Sequence, residues 1–231
     1  MARVIFETNI KADVKNLIGS VAATNRGGRD FSKDIDPKII KIVKSNSKKK
    51  AFDLVMKRTS KFYKKNHKLI KLTLKQFEDT WKLIEKDYFK RLAKVTKKPI
   101  CSQKFTACLT TAGRCPYWPE KFWFMVSLLG SPLQACRLIA HEILHMQILY
   151  YYKDKLPYFE KHPSKAKLAW ALIESLTILL NEEFSDILFF KDNGYPDHQK
   201  LRARLSVEWR KTRDFDKFLP KAIEITKRMM K

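Results

Sequence analysis

Apolar positions along most of the chain recur at spacings of three and four, the period of a helix with one buried face. Val14, Leu17, Ile18 and Val21 predict a short helix over 13–23. Asp36-Pro37 opens another through 43, with Pro at its first position. Phe52, Val55, Met56, Thr59, Phe62 and Tyr63 mark a helix over 51–65. A longer stripe, Phe77, Trp81, Ile84, Tyr88, Phe89 and Leu92, runs to about 95. Thr73 and Gln76 offer a capping box at its start. The period then changes to two. Phe105, Ala107 and Leu109 alternate with Thr106, Cys108 and Thr110, so 104–112 reads as a strand. A turn rich in Gly and Pro over 113–120 leads to a nearly apolar second strand over 122–128, and the pair predicts a hairpin. Val4-Ile5-Phe6 is either a short strand or a tether. Helical spacing returns after Gly130-Ser131-Pro132. Residues 132–152 contain no internal Gly or Pro, 165–190 read as one long helix, and helical stretches follow over 199–213 and 221–230.

These elements predict an α+β fold, mostly helical, with a small antiparallel sheet. A basic helical N-terminal region, 1–98, would precede a core over 99–231. A chain of 231 residues buries one sizeable core, and its 45% apolar content is that of a folded protein. No apolar run reaches the length of a membrane span. The first residues lack a basic stretch followed by an apolar core, so the expected address is cytoplasmic. The four cysteines contain no Cys-x-x-Cys pair and are expected as free thiols.

Charge changes the picture in one respect. Residues 1–104 carry 28 of the 48 Lys and Arg against 10 of the 24 Asp and Glu. Such a surface suits an acidic partner or a weak, nonspecific contact with nucleic acid. Most of these cations are lysines scattered along helices, so neither partner is expected to define the main role.

The chemistry concentrates in the helix over 132–152, at His141-Glu142-Ile143-Leu144-His145. Residues four apart share a helical face, so two imidazoles can reach one metal ion. Glu142 follows the first histidine and can lean over the side where a water would sit. The flanks, Leu138, Ile139, Ala140, Ile148 and Leu149, are those of a core helix, where two histidines and a glutamate need a reason. Zinc is the expected ion. It would lower the pKa of its water and polarise a carbonyl, with Glu142 as general base and then general acid. Glu174 stands inside the most apolar part of the helix over 165–190, where an unpaired carboxylate is costly. A metal ion is a suitable partner.

The His-Glu-x-x-His motif and a glutamate on the following helix resemble the gluzincin branch of the zincin-like metallopeptidases. The resemblance covers about 104–186, or at most through 198. It implies a zincin-like core, hydrolysis of a peptide or protein substrate, and a glutamate as third zinc ligand. Glu174 precedes a small residue and Leu, as in many small gluzincin-like domains, and its apolar setting favours it. Asn181-Glu182-Glu183-Phe184-Ser185-Asp186 resembles the Asn-Glu-x-x-Ser-Asp motif of thermolysin-like peptidases. Carried over, Glu182 would bind zinc and Asp186 would orient His141, although the separation is longer than in those enzymes. Asp154, Glu160, His162, Asp186 and His198 complete the set of possible third ligands. Of the two glutamates eight apart, the one that does not bind could serve as support. The Gly and third His of metzincins are absent after His145. Gluzincins stabilise the oxyanion with a Tyr or His donor, which makes Tyr195 and His198, in the loop over 191–198, candidates for that role. The alternative function is a non-proteolytic metal protein, structural or associated with nucleic acid.

Overall fold

The computed structural model describes residues 2–156 and 163–230. In chain order the described elements are β1 (Arg3–Thr8), α1 (Ile10–Ala22), α2 (Pro37–Ser45), α3 (Lys48–Lys65), α4 (His67–Thr96), β2 (Lys104–Thr110), β3 (Tyr117–Trp118), β4 (Trp123–Ser127), α5 (Pro132–Tyr152), α6 (Pro163–Leu176), α7 (Ile178–Glu183), α8 (Gln199–Thr212) and α9 (Phe215–Met229). The fold is α+β and mostly helical. The chain forms two compact units. One takes Val4–Leu83 and Lys104–Cys136; the other takes Ile84–Gln103 and Arg137–Lys231, with the N-terminal residues through Arg3. Each unit draws residues from both sides of the boundary expected at 98.

In the first unit the sheet has the order β1-β2-β4-β3. It is mixed, not antiparallel. β2 and β4 do not form a hairpin but pair in parallel, with Thr106 opposite Trp123 and Leu109 opposite Val126. The stretch over 111–122 is the crossover, and β3 within it pairs antiparallel with β4. The burial explains the arrangement: Ala107, Cys108 and Leu109 in β2, and Phe124, Met125 and Val126 in β4, are all fully buried. Strands buried on both faces are characteristic of parallel pairs. Val14, Leu17, Val21, Ile35, Ile39, Val55 and Ala112 form the core under α1, α2 and α3. Asp13, fully buried in α1, accepts hydrogen bonds from Thr110 Oγ1 at 2.5 Å, Thr111 N at 2.9 Å and Tyr63 Oη at 3.1 Å.

α4 starts at His67, ahead of the start expected at Thr73. Thr73 does not cap a helix start; its hydroxyl donates to the Leu69 carbonyl in mid-helix. α5 has the predicted bounds. Ser131 Oγ accepts from Gln134 N at 3.2 Å and Gln134 Oε1 accepts from Ser131 N at 2.9 Å, a reciprocal capping box with Pro132 at the first helical position.

In the second unit α5 is apolar on almost every side, with Ile139, Ala140, Ile143, Leu144, Met146 and Ile148 fully buried. Its polar residues are tied down. Gln147 donates to Thr96 Oγ1 at 3.1 Å and the Pro99 carbonyl at 3.0 Å, and accepts from Cys101 N at 2.9 Å. Tyr88 donates to the Ala140 carbonyl at 2.6 Å, directly before His141. The single helix expected over 165–190 is two helices, α6 and α7, separated at Thr177. The last helix also differs from expectation. Asp214 caps it, accepting from Asp216 N at 3.0 Å, and Pro220 lies inside it rather than before it. No helix among the described residues is long and apolar enough to cross a membrane. The four cysteines form no disulfide among the described residues.

Candidate metal centre

The buried helix α5 carries His141 and His145 one turn apart, and α6 brings Glu174 to both. His141 Nε2 lies 2.8 Å from His145 Nε2 and 3.4 Å from Glu174 Oε2. His145 Nε2 lies 3.5 Å from the same oxygen. The side chains of His141, His145 and Glu174 are 12%, 0% and 7% exposed. These three could hold a metal ion. Tetrahedral zinc, with bonds of about 2.0–2.1 Å, needs donors about 3.3–3.4 Å apart, and two of the three separations match this closely. The shorter one is a hydrogen bond between imidazoles, which a cation would replace.

The charges explain that hydrogen bond. Burial opposes a charge on His141, but the Asp192 carboxylate, with Glu174 and Glu142 nearby, raises its pKa to about 10. Burial and the charge on His141 lower the pKa of His145. The carboxylates thus favour a charge on His141 over one on His145. Burial alone would raise Glu174, yet the two imidazoles hold it well below the usual carboxylate range. Three potential donors thus converge on one largely buried point.

Glu142 is 4% exposed, and its Oε2 has no hydrogen-bond partner among the described residues. Burial pushes its pKa up to about 8, against the neighbouring charge on His141. A buried carboxyl oxygen without a partner is costly for folding and is found where chemistry needs it.

Behind the donors lies a network that sequence reasoning missed. Asp192, in the loop after α7, accepts from His141 Nδ1 at 2.7 Å and from Arg137 Nη1 at 3.1 Å. Its Oδ1 lies 3.0 Å from Arg202 Nη2. Burial would raise its pKa, but His141, Arg202 and Arg137 hold it far below the usual carboxylate range. Asn181 fixes the Asp192 backbone from both sides, accepting from its N–H at 2.7 Å and donating to its carbonyl at 2.9 Å. Arg202, buried in α8, donates to the Asp192 carbonyl, to Glu174 O at 3.1 Å and to Thr177 Oγ1 at 2.5 Å. Thr177 Oγ1 lies 2.7 Å from Glu174 O and 2.9 Å from Asp192 Oδ1. The Glu174 carbonyl therefore takes side-chain donors where a continuous helix would continue, and this is where α6 ends. Gly194 completes the fit. Its φ is +60°, and an added Cβ would stand 2.8 Å from the Arg202 side chain.

The expected carriers of these roles are elsewhere. Glu182 accepts from Ser206 Oγ at 2.6 Å and Arg210 Nε at 2.8 Å, tying α7 to α8 away from the donors. It gives Glu174 no support, because the break at Thr177 removes the shared helical face. Asp186 does not orient His141; it is 63% exposed and paired with Arg91. Asp154 is exposed on the turn after α5, and Glu160 and His162 lie outside the described residues. Tyr195 and His198 come together on Trp170, one turn before Glu174, with ring centroids 4.9 and 4.6 Å from the indole. His198 is buried, its Nδ1 has no partner among the described residues, and burial lowers its pKa, so the ring is neutral. Nothing local distinguished Asp192 from the other acidic residues nearby. Neither a family model, nor a curated protein, nor a solved structure matches the chain.

Proposed function

We propose that the chain is a zinc-dependent hydrolase of peptide or amide bonds, of the gluzincin type. The observation that carries this reading is the unpartnered, buried Oε2 of Glu142 beside the convergent His141, His145 and Glu174. Those three residues would hold the ion. Bound zinc supplies a polarised carbonyl and a water of lowered pKa. Asp192 keeps the His141 ring turned so that Nε2 faces the centre, and Arg202 and Asn181 keep Asp192 in place. A cation on the donors favours the ionised form of Glu142, which prepares it to take a proton from water and deliver it to the leaving nitrogen. Tyr195 and neutral His198 are the donors proposed for the oxyanion.

The near-complete burial of the donors favours one second reading, a metal site that ties α5 to α6 without chemistry. The test measures zinc content and hydrolysis of a peptide library by the parent chain and by Glu142→Gln. Zinc in both, with hydrolysis only in the parent, supports the enzyme. Zinc in both with hydrolysis in neither supports the structural site. Equal hydrolysis in both refutes the role of Glu142, and zinc in neither after zinc-supplemented refolding refutes both readings.

A further inference from the structure

The first unit holds a cavity of about 420 Å³ with a different chemistry. Its size falls within the range of small-molecule sites, roughly 300–1,000 Å³. Lys11 and Lys15 of α1, Arg114 of the crossover and Lys121 line it, together with Asn16, Trp118 and Trp123. Among the described residues no carboxylate lines it. Lys11 and Lys15 are a turn apart on one helical face, an arrangement that repels and so works against the helix. Lys11, Lys15 and Lys121 are exposed and make no ion pair among the described residues. A cluster of this kind is stabilised by an anion.

One further observation narrows the anion. Trp118 and Trp123 are opposite each other in the β3–β4 pairing and meet edge to face, with centroids 4.9 Å apart. Glu7 Oε1 accepts the Trp123 indole N–H at 2.9 Å, which fixes that ring, and Trp118 stays 39% exposed at the cavity. An exposed indole held by a second ring is a stacking surface for a planar group. An inorganic anion has no planar group to lay on that surface; a nucleobase does.

We infer that this cavity binds one nucleoside phosphate, with the phosphate among Lys11, Lys15, Arg114 and Lys121 and the base against Trp118. The site is independent of the metal centre and of the hydrolase reading. Its source is either a free nucleotide or one nucleotide of a single strand. The surrounding unit favours the strand, since Val4–Leu83 and Lys104–Cys136 carry 23 Lys and Arg against 9 Asp and Glu.

The experiment titrates the full chain with adenosine monophosphate, adenosine, inorganic phosphate and a ten-nucleotide single strand, by calorimetry and tryptophan fluorescence at two salt concentrations. The monophosphate is expected to bind at least tenfold more tightly than adenosine or inorganic phosphate. Lys15→Glu and Trp118→Ala, both at exposed positions, are each expected to weaken it about tenfold while leaving zinc content unchanged. A strand that binds at least tenfold more tightly than the monophosphate, with a steep salt dependence and the same loss in both variants, identifies the single strand as the source. Equal affinity identifies the free nucleotide. Inorganic phosphate binding as tightly as the monophosphate overturns the inference, as does the absence of nucleotide binding at millimolar concentration. Strand binding that survives both substitutions also overturns it, because the contact then lies elsewhere on the basic surface.

Discussion

Asp192→Asn separates charge from shape at the position that holds His141. The side chain is 0% exposed and faces Arg202, 4% exposed, and Arg137, 27% exposed. The substitution keeps the volume and leaves Arg202 opposite a neutral amide. Removing one member of a buried ion pair costs about 3–5 kcal/mol. The contact with the more exposed Arg137 adds little to that, because water screens it. In a chain of this size each kcal/mol lowers Tm by about 2–4 °C, so the metal-free variant should melt on the order of 10 °C below the parent. The imidazole loses the carboxylate that orients it, and zinc affinity should fall about 10–100-fold. Calorimetric melting in chelator gives the first quantity, and competition with a chromophoric chelator gives the second. Arg137→Gln is the control, and it should shift Tm by only a few degrees. Zinc affinity within threefold of the parent in Asp192→Asn would refute the orienting role, whatever happens to Tm.

Glu174→Ala should weaken zinc binding far more than Glu182→Ala, which loses only its ties to Ser206 and Arg210; the reverse order in the same competition assay would transfer the ligand role. Asp186→Ala should leave zinc affinity within about twofold, because exposed ion pairs such as that with Arg91 contribute little. Glu142→Gln should stabilise the protein stripped of metal. The pKa of Glu142 rises from 4.5 unfolded to about 8 folded, so the native state keeps a proton that the unfolded chain releases between those values. The contribution of Glu142 to parent stability therefore falls as pH rises from 4.5 to 8 and levels off above, and the gain in Tm from Glu142→Gln should grow over the same window. A gain that is constant with pH would contradict the burial of an unpartnered carboxyl. Tyr88→Phe should cost about 1 kcal/mol by removing the hydrogen bond to the Ala140 carbonyl, read from denaturant unfolding.

Local signals account for the parts that were legible. α5 was readable from end to end because the Gly130-Ser131-Pro132 start and the unbroken run without Gly or Pro both act within one segment; its capping box is a finding of the structure. The metal donors were readable for the same kind of reason. Spacing of four puts His141 and His145 on one face, and an apolar context requires a partner for Glu174. The errors came where two segments compete for one group. The spacing over 165–190 is helical throughout, and only the donors of Arg202 and Thr177 at the Glu174 carbonyl end α6. The alternation in β2 and the apolar run in β4 predict strands correctly, but strand direction depends on how the crossover over 111–122 passes between them.

The sequence by itself determined most of the helical segments and which residues could bind a metal. These follow from periodicity and from the cost of burying charge, both properties of a single segment. Only the tertiary structure decided which acid supports the histidine. Asp186 and Asp192 are alike in sequence terms, and the difference is that Arg202 and Asn181, distant from Asp192 along the chain by 10 and 11 residues, seat it beside His141. It also decided that four dispersed cations and two tryptophans line one cavity. Long-range proximity is set by packing, and no periodicity records it.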